Sequence, residues 1–170
     1  MVAIKRWLIH SFMPPWHWRR AFSAQVLKDI EHAIKQSESR HCGELRFALE
    51  NALAPSAVWR NLSAKQRAIE VFSQLRIWDT EANCGILLYL LLADREVQII
   101  ADRGIAQKVP QQEWDSIAAT MQTAFSQGDY RRGVLEGIDK LSDLLAAHFP
   151  ATAAKSNELP DSPVIIKAGH

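Results

Sequence analysis

The chain has 170 residues, of which 48% are apolar and 23% charged, and its formal net charge is +1. That length suits one domain with tails, and the near-neutral balance gives no reason to expect nucleic acid as a partner. Cys42 and Cys84 are the only cysteines, and neither has a Cys-x-x-Cys neighbour or a histidine at zinc-ligand spacing, so free thiols in a reducing compartment are expected.

Residues 1–20 read as an arm. It carries Lys5, Arg6, Arg19 and Arg20, with no acid before Asp29, and Trp7, Phe12, Trp16 and Trp18, with Pro14 and Pro15 interrupting any helix. Two uses suit that composition: packing the aromatics on the domain, or adhesion to an anionic membrane or a partner. Its short apolar run is broken by His10 and Ser11, and no small-residue cleavage site follows, so no secretory signal is expected.

Residues 21–150 read as the domain. Phe22, Val26, Ile30 and Ile34 recur every four residues and predict a helix from about Arg20 to Ser37. In "GELRFALEN", Leu45, Phe47 and Leu49 alternate with Glu44, Arg46, Ala48 and Glu50, which predicts a strand with one face less fully covered. A short helical turn over Pro55 to Arg60 precedes a helix opened by a Ser63–Gln66 capping box. That helix has Ala68, Ile69, Phe72 and Leu75 on its apolar face. "CGILLYLLLA" is apolar on both faces and predicts a central strand. Its run from Cys84 to Ala93 is far short of the roughly 18 residues of a membrane span.

"EVQIIA" predicts a third strand. A helix starts near Pro110, carries Trp114, Ile117, Ala118, Met121 and Phe125, and stops at Gly128. Asp129 caps a last helix striped by Val134, Ile138, Leu141, Leu145 and His148, with Gly133 and Gly137 leaving room for close approach. Residues 151–170 read as a flexible tail. The order α-β-α-β-β-α-α contains a parallel βαβ unit and an antiparallel return. With the second strand covered on both faces, the expected class is α/β, a three-layer α/β/α sandwich around a small mixed β-sheet.

If Asp94-Arg95 is a two-residue turn, paired residue numbers sum to about 189 or 190 and Gly104 lies opposite Gly85 or Ile86. "WDTEANCG" and "ADRG" then meet at one edge of the sheet. Asp79, Thr80, Glu81, Asn83, Asp102 and Arg103 become neighbours, and Gly85 and Gly104 leave space for a ligand or a loop. Oxygen donors from two loops suit a hard cation such as calcium, whereas Arg103 with Thr80 and Gly104 suits an anion. The purely structural alternative has Asp79 capping a turn, Asn83 bonding an amide and Asp102 pairing with Arg103. A second-choice edge holds Glu50, Asn51, Asp94, Arg95 and Glu96, because ligands of parallel α/β sheets usually lie beyond the carboxyl ends of the strands. The six histidines share no spacing, and adjacent His41 and Cys42 face opposite ways in an extended segment, against thiol catalysis. No EF-hand, phosphate loop or catalytic motif occurs.

"DTEANCGILLYLLLADREVQIIADRGI", then Trp114, then "FSQGDYRRG" from Phe125 to Gly133, resembles the TPM domain, known from thylakoid-lumen, photosystem II and levamisole-receptor-modulator proteins. The resemblance spans about Arg20 to Pro150 and is closest to soluble bacterial members without the usual C-terminal membrane segment. It implies an α/β/α sandwich and links to calcium binding, membrane-complex upkeep and, in the plant branch, weak acid-phosphatase activity. The family's Asn-Gly pair matches Asn83 and, displaced by Cys84, Gly85, and its Gly-x-Gly region matches Asp102-Arg103-Gly104. Cys84 therefore stands for a typical Asn and is a poor calcium ligand, while Asp102 stands for a typical Gly. The expectation is an accessory domain that binds a calcium-like divalent cation through Asp79, Asn83 and Asp102, and a protein or membrane-associated complex as partner. It would be cytoplasmic, at most peripheral to a membrane. The alternatives are a slow metal-assisted phosphatase in which Arg103 holds developing charge, and an interaction module that uses the arm and has no metal site.

Overall fold

The computed structural model describes residues 2–152 and 157–167. Its helices are α1 (Val2–Phe12), α2 (Trp18–Ala21), α3 (Ala24–Glu38), α4 (Pro55–Trp59), α5 (Ala64–Gln74), α6 (Arg103–Ala106), α7 (Gln111–Ser126) and α8 (Tyr130–His148). Its strands are β1 (Glu44–Glu50), β2 (Gly85–Leu91), β3 (Glu96–Ala101) and β4 (Val164–Ile166), in the sheet order β3-β2-β1-β4. β1 pairs in parallel with β2 and β4, and β3 runs antiparallel to β2. This is the expected α/β sandwich. Odd residues of β1 and even residues of β2 point into a core shared with α3, α7 and α8. The opposite residues, Ala48, Leu87, Tyr89 and Leu91, pack with α4 and α5.

Local signals placed several helix ends, whereas α3 begins at Ala24, capped by Ser23, and not at Arg20. Ser63 and Gln66 form the capping box that opens α5. Asp129 accepts a bond from the Arg132 amide and caps α8. Gly133 and Gly137 admit the side chains of Phe125 and Met121 from α7, which fixes how closely α7 and α8 pack.

Four features depart from the expectation. All seven β1 residues are buried, so neither face is less covered. The polar face is covered because its charges have partners: Glu44 Oε2 accepts the Glu158 and Leu159 amides, Arg46 donates to the Pro160 carbonyl, and Arg67 pairs with Glu50. Those tail contacts lead into β4, a strand that three residues of ordinary composition do not announce. Residues 153–156 and 168–170 of the same tail lie outside the described residues. The hairpin register is the third correction. Leu91 pairs with Glu96 and Ile86 with Ala101, so the loop is Leu92 to Arg95 and not a two-residue turn. The amides of Leu92 and Ala93 donate to the carbonyls of Glu50 and Asn51 and so prolong pairing with β1, and the turn closes with Arg95 in the left-handed region (φ 54°).

The fourth departure is α1, where no helix was expected. Pro14 and Pro15 end it rather than prevent it. Its inner side is fastened at Asp94. Arg6 donates to that carboxylate from Nε and Nη2 (3.0 and 2.8 Å). His10 Nδ1 accepts the Leu53 amide (2.9 Å), so the imidazole proton sits on Nε2 and donates to Asp94 Oδ1 (3.0 Å). Burial works to raise the Asp94 carboxyl, but the bonds from His10 and Arg6 outweigh it and hold the group below the usual carboxylate range. Such a group stabilises the fold above the unfolded carboxylate value, about 3.9, and that contribution disappears as pH falls through the lowered folded value. Asp94→Asn should therefore cost about 1–3 kcal/mol and raise amide exchange across residues 2–12 at neutral pH. In the wild type the same loosening should begin only below about pH 4.

Candidate functional site

The corrected register fixes what meets at the edge where β2 begins and β3 ends. The Asp102 amide donates to the Gly85 carbonyl (2.9 Å) and the Gly104 amide to the Asn83 carbonyl (3.1 Å). Gly104 therefore faces Asn83, and the expected placement opposite Gly85 or Ile86 is corrected by two residues or more. Gly104 is required there: a Cβ would lie 2.6 Å from the Asn83 carbonyl oxygen and 2.7 Å from that of Ala82. Gly85 serves similarly, since a Cβ would enter the carbonyl oxygen of Ile77. Gly85 is also the partner of Glu44, so the Ile77 carbonyl comes down on the sheet between Glu44 and Asp102.

Each expected site residue can now be placed. Asp102 is 8% exposed and caps α6, with Oδ1 accepting the Arg103 amide (2.7 Å). Its Oδ2 is buried and has no hydrogen-bond partner among the described residues. The helix α6 replaces the open "ADRG" loop of the sequence reading, and it turns Arg103 outward to an exposed position. Asn83 is half-buried and adopts the left-handed region (φ 51°) at the end of a turn closed by its own amide on the Thr80 carbonyl. Thr80 is buried, and its hydroxyl accepts the Cys84 amide (2.9 Å). Thr80 thus closes the loop that leads into β2.

Asp79 is not drawn to Asp102 by any bond. It is exposed and pairs with Arg76 (2.7 Å), an exposed contact worth about 0–1 kcal/mol and easily given up. Glu81 and Ala82 are exposed, and the Glu81 amide donates to Glu158 of the tail (2.9 Å). Glu158 is a carboxylate at this edge that the sequence offered no signal for, because the tail reaches it only through the contacts leading to β4. Cys84 belongs to the apolar core under α3, α7 and α8, so its thiol is a packing group. Cys42 and Cys84 are not joined in a disulfide. Cys42 Sγ donates to the Pro150 carbonyl, and His41 donates from Nδ1 to the Gly43 carbonyl.

The second-choice edge is occupied by its own partners. Asp94 is the α1 anchor, and Arg95 is exposed beside it. Glu50 accepts from Arg67 Nε and Nη2 (2.8 and 3.1 Å) and from the Tyr89 hydroxyl (2.6 Å). A cleft of about 590 Å³ opens beside this pair, with Arg60 and Glu70 on its rim. The pattern of alternation in β1 hid this buried network, since Glu50 looked like a solvent-facing residue.

Among the described residues no group of three or more His, Cys, Asp or Glu side chains could hold a metal ion. The oxygens placed at the Asp102 edge are the buried Asp102 Oδ2 and the main-chain carbonyls of Ile77, Ala82 and Asn83. That set fits a hard, oxygen-loving cation better than a transition metal. No helix among the described residues is long and apolar enough to cross a membrane.

A family model described as the TPM domain matches residues 19–144. The solved NMR structure of BA42 protein from the psychrophilic bacterium Bizionia argentinensis is similar. The two share 30% sequence identity with a TM-score of 0.76, over 85% of this chain and 95% of that one. No curated protein matches.

Proposed function

The chain belongs to the TPM domain family, and from that premise we propose that it is an accessory domain binding a calcium-like divalent cation at the edge made by residues 79–85 and 101–104. The observation that carries this reading is the buried, unpartnered Oδ2 of Asp102. A carboxylate oxygen left without a partner costs about 1–3 kcal/mol, and a cation would remove that cost. Asp102 would hold the ion through Oδ2 and Asn83 through its side-chain oxygen. Asp79 would join after releasing Arg76. The ion would supply cross-linking of two loops that otherwise meet through main-chain bonds. So few charged ligands suit weak affinity, on the order of 0.1–1 mM. The role in the cell would be structural upkeep of a protein or membrane-associated complex.

Calcium titration followed by amide NMR tests this. Shifts should concentrate in residues 79–85 and 101–104, and at about ten times the dissociation constant the melting temperature should rise by roughly 3–5 °C. Asp102→Asn should remove both effects. Asparagine caps a helix as well as aspartate, so the variant keeps the fold while losing the charge. An unchanged spectrum through 10 mM calcium, about ten times the weakest affinity expected, would end the cation reading.

A weak metal-assisted phosphatase is a second reading, favoured by the exposure of Arg103 next to Asp102. It requires p-nitrophenyl phosphate hydrolysis that falls in both Asp102→Asn and Arg103→Gln.

A further inference from the structure

Helix α1 is apolar on two sides. Trp7 packs inward with Leu53, Val58 and their neighbours, and His10 is buried. Ile4, Leu8, Ile9 and Phe12 are exposed, Phe12 to 75%, and at helical spacing they share an outward arc of about 140°. Trp59 on the adjoining α4 is also 75% exposed, and Ile4, Trp7 and Trp59 border a cleft of about 180 Å³ between the two helices. Six of the eight exposed large hydrophobic side chains among the described residues lie on α1, α4 or, as Trp16, just after α1.

The same two segments are electrically one-sided. Residues 1–28 carry five Lys or Arg and residues 51–69 carry three, with no Asp or Glu in either. With 20 basic and 19 acidic residues in all, the rest of the chain keeps 12 basic against 19 acidic. Arg6 and Arg67 are held in ion pairs, whereas Lys5, Arg19, Arg20 and Arg60 are exposed. The near-neutral total hides two tryptophan-bearing segments that contribute only positive charge, set against an acidic remainder; of the acids beside them, Asp94 is paired with Arg6 and Glu50 and Glu70 with Arg67.

We infer that the α1–α4 face docks on an anionic lipid surface, with α1 lying along the headgroup boundary. Aliphatic residues on the outer arc suit acyl chains, tryptophans suit the interface, and flanking lysine and arginine suit anionic headgroups. A second copy of the chain is disfavoured, because this face would meet its own positive charge. A nucleic acid would leave Ile4, Leu8 and Ile9 without a role. The inference is independent of the cation site, and α1 lies ahead of the residues matched by the TPM family.

Co-sedimentation of the full chain with vesicles tests it, in the presence of a chelator so that the cation site plays no part. Binding to vesicles of phosphatidylcholine and phosphatidylglycerol in equal parts should exceed binding to phosphatidylcholine alone at least about tenfold and weaken with salt. Leu8→Glu combined with Phe12→Glu should abolish it while circular dichroism and melting stay unchanged, since both positions are exposed. Trp59→Ser should weaken it separately, which ties α4 to the same surface. The inference is overturned by equal binding to both vesicles or by full binding of the double variant. It is also overturned by single-stranded RNA displacing the lipid, or by self-association of the free chain that the double variant loses.

Discussion

Arg67→Ala should lower stability by about 3–5 kcal/mol, because it leaves a buried carboxylate without its counter-charge. Arg67 is 7% exposed and Glu50 2% exposed. Two guanidinium bonds and the Tyr89 hydroxyl satisfy Glu50, and Arg67 Nη1 also reaches Glu70 (3.0 Å). After the substitution Tyr89 is the one side-chain partner left to Glu50 among the described residues. Burial, and then the Glu50 charge, hold the Tyr89 hydroxyl far above the usual phenol range, so it stays a donor but cannot neutralise the acid. For a chain of this size the melting temperature should fall by roughly 6–20 °C. The test lies in the cycle: Arg67→Met with Glu50→Leu and Tyr89→Phe removes all the polar groups together and should recover most of the loss. A single-variant cost below about 1 kcal/mol would show that water screens the pair.

Gly85→Ala should cost about 3 kcal/mol, the upper part of the range for overpacking, since the added atom meets backbone rather than a yielding side chain. The Ile77 carbonyl occupies the position a Cβ would take. Gly85 is held on one side by Glu44 and on the other by the Asp102 amide, so the strand cannot slide to make room. The loop from Ile77 to Cys84 must move instead. The damage should appear as shifted amides in residues 77–85 and 101–104, with the α3–α7–α8 core unaffected. Gly104→Ala should produce the same local signature at lower cost, because its obstructions at 2.6 and 2.7 Å are one loop's carbonyls. A Gly85→Ala protein with wild-type melting and an unshifted loop would refute this account of the edge.

The candidate site was partly legible. Asn83 and Asp102 were expected at one edge and their main chains lie there, because "EVQIIA" and "CGILLYLLLA" announce an antiparallel pair that must bring its flanks to one edge, although Gly104 meets Asn83 and not Gly85 or Ile86. Asp79 was placed there by proximity in sequence, yet its carboxylate found Arg76, three residues earlier, at a left-handed residue (φ 52°) that no spacing rule flags. Glu158 was invisible for the opposite reason. It is 77 residues from the amide it binds, and nothing in a Ser-, Asn- and Pro-containing tail indicates where that tail returns.

The sequence by itself determined the alternation of elements, the three layers and the caps at Ser63 and Asp129. Those depend on side-chain period and on hydrogen bonds spanning three or four residues. Tertiary structure alone decided the hairpin register, β4, the docking of α1 on Asp94 and the burial of the polar face of β1. In each of these a backbone or charged group chose between distant partners. The Leu92 and Ala93 amides took the carbonyls of β1, Arg6 and His10 took Asp94, and Arg67 took Glu50. Such choices rest on the cost of leaving a buried polar group unpaired, and the pairing that avoids the cost exists only once the chain has closed on itself.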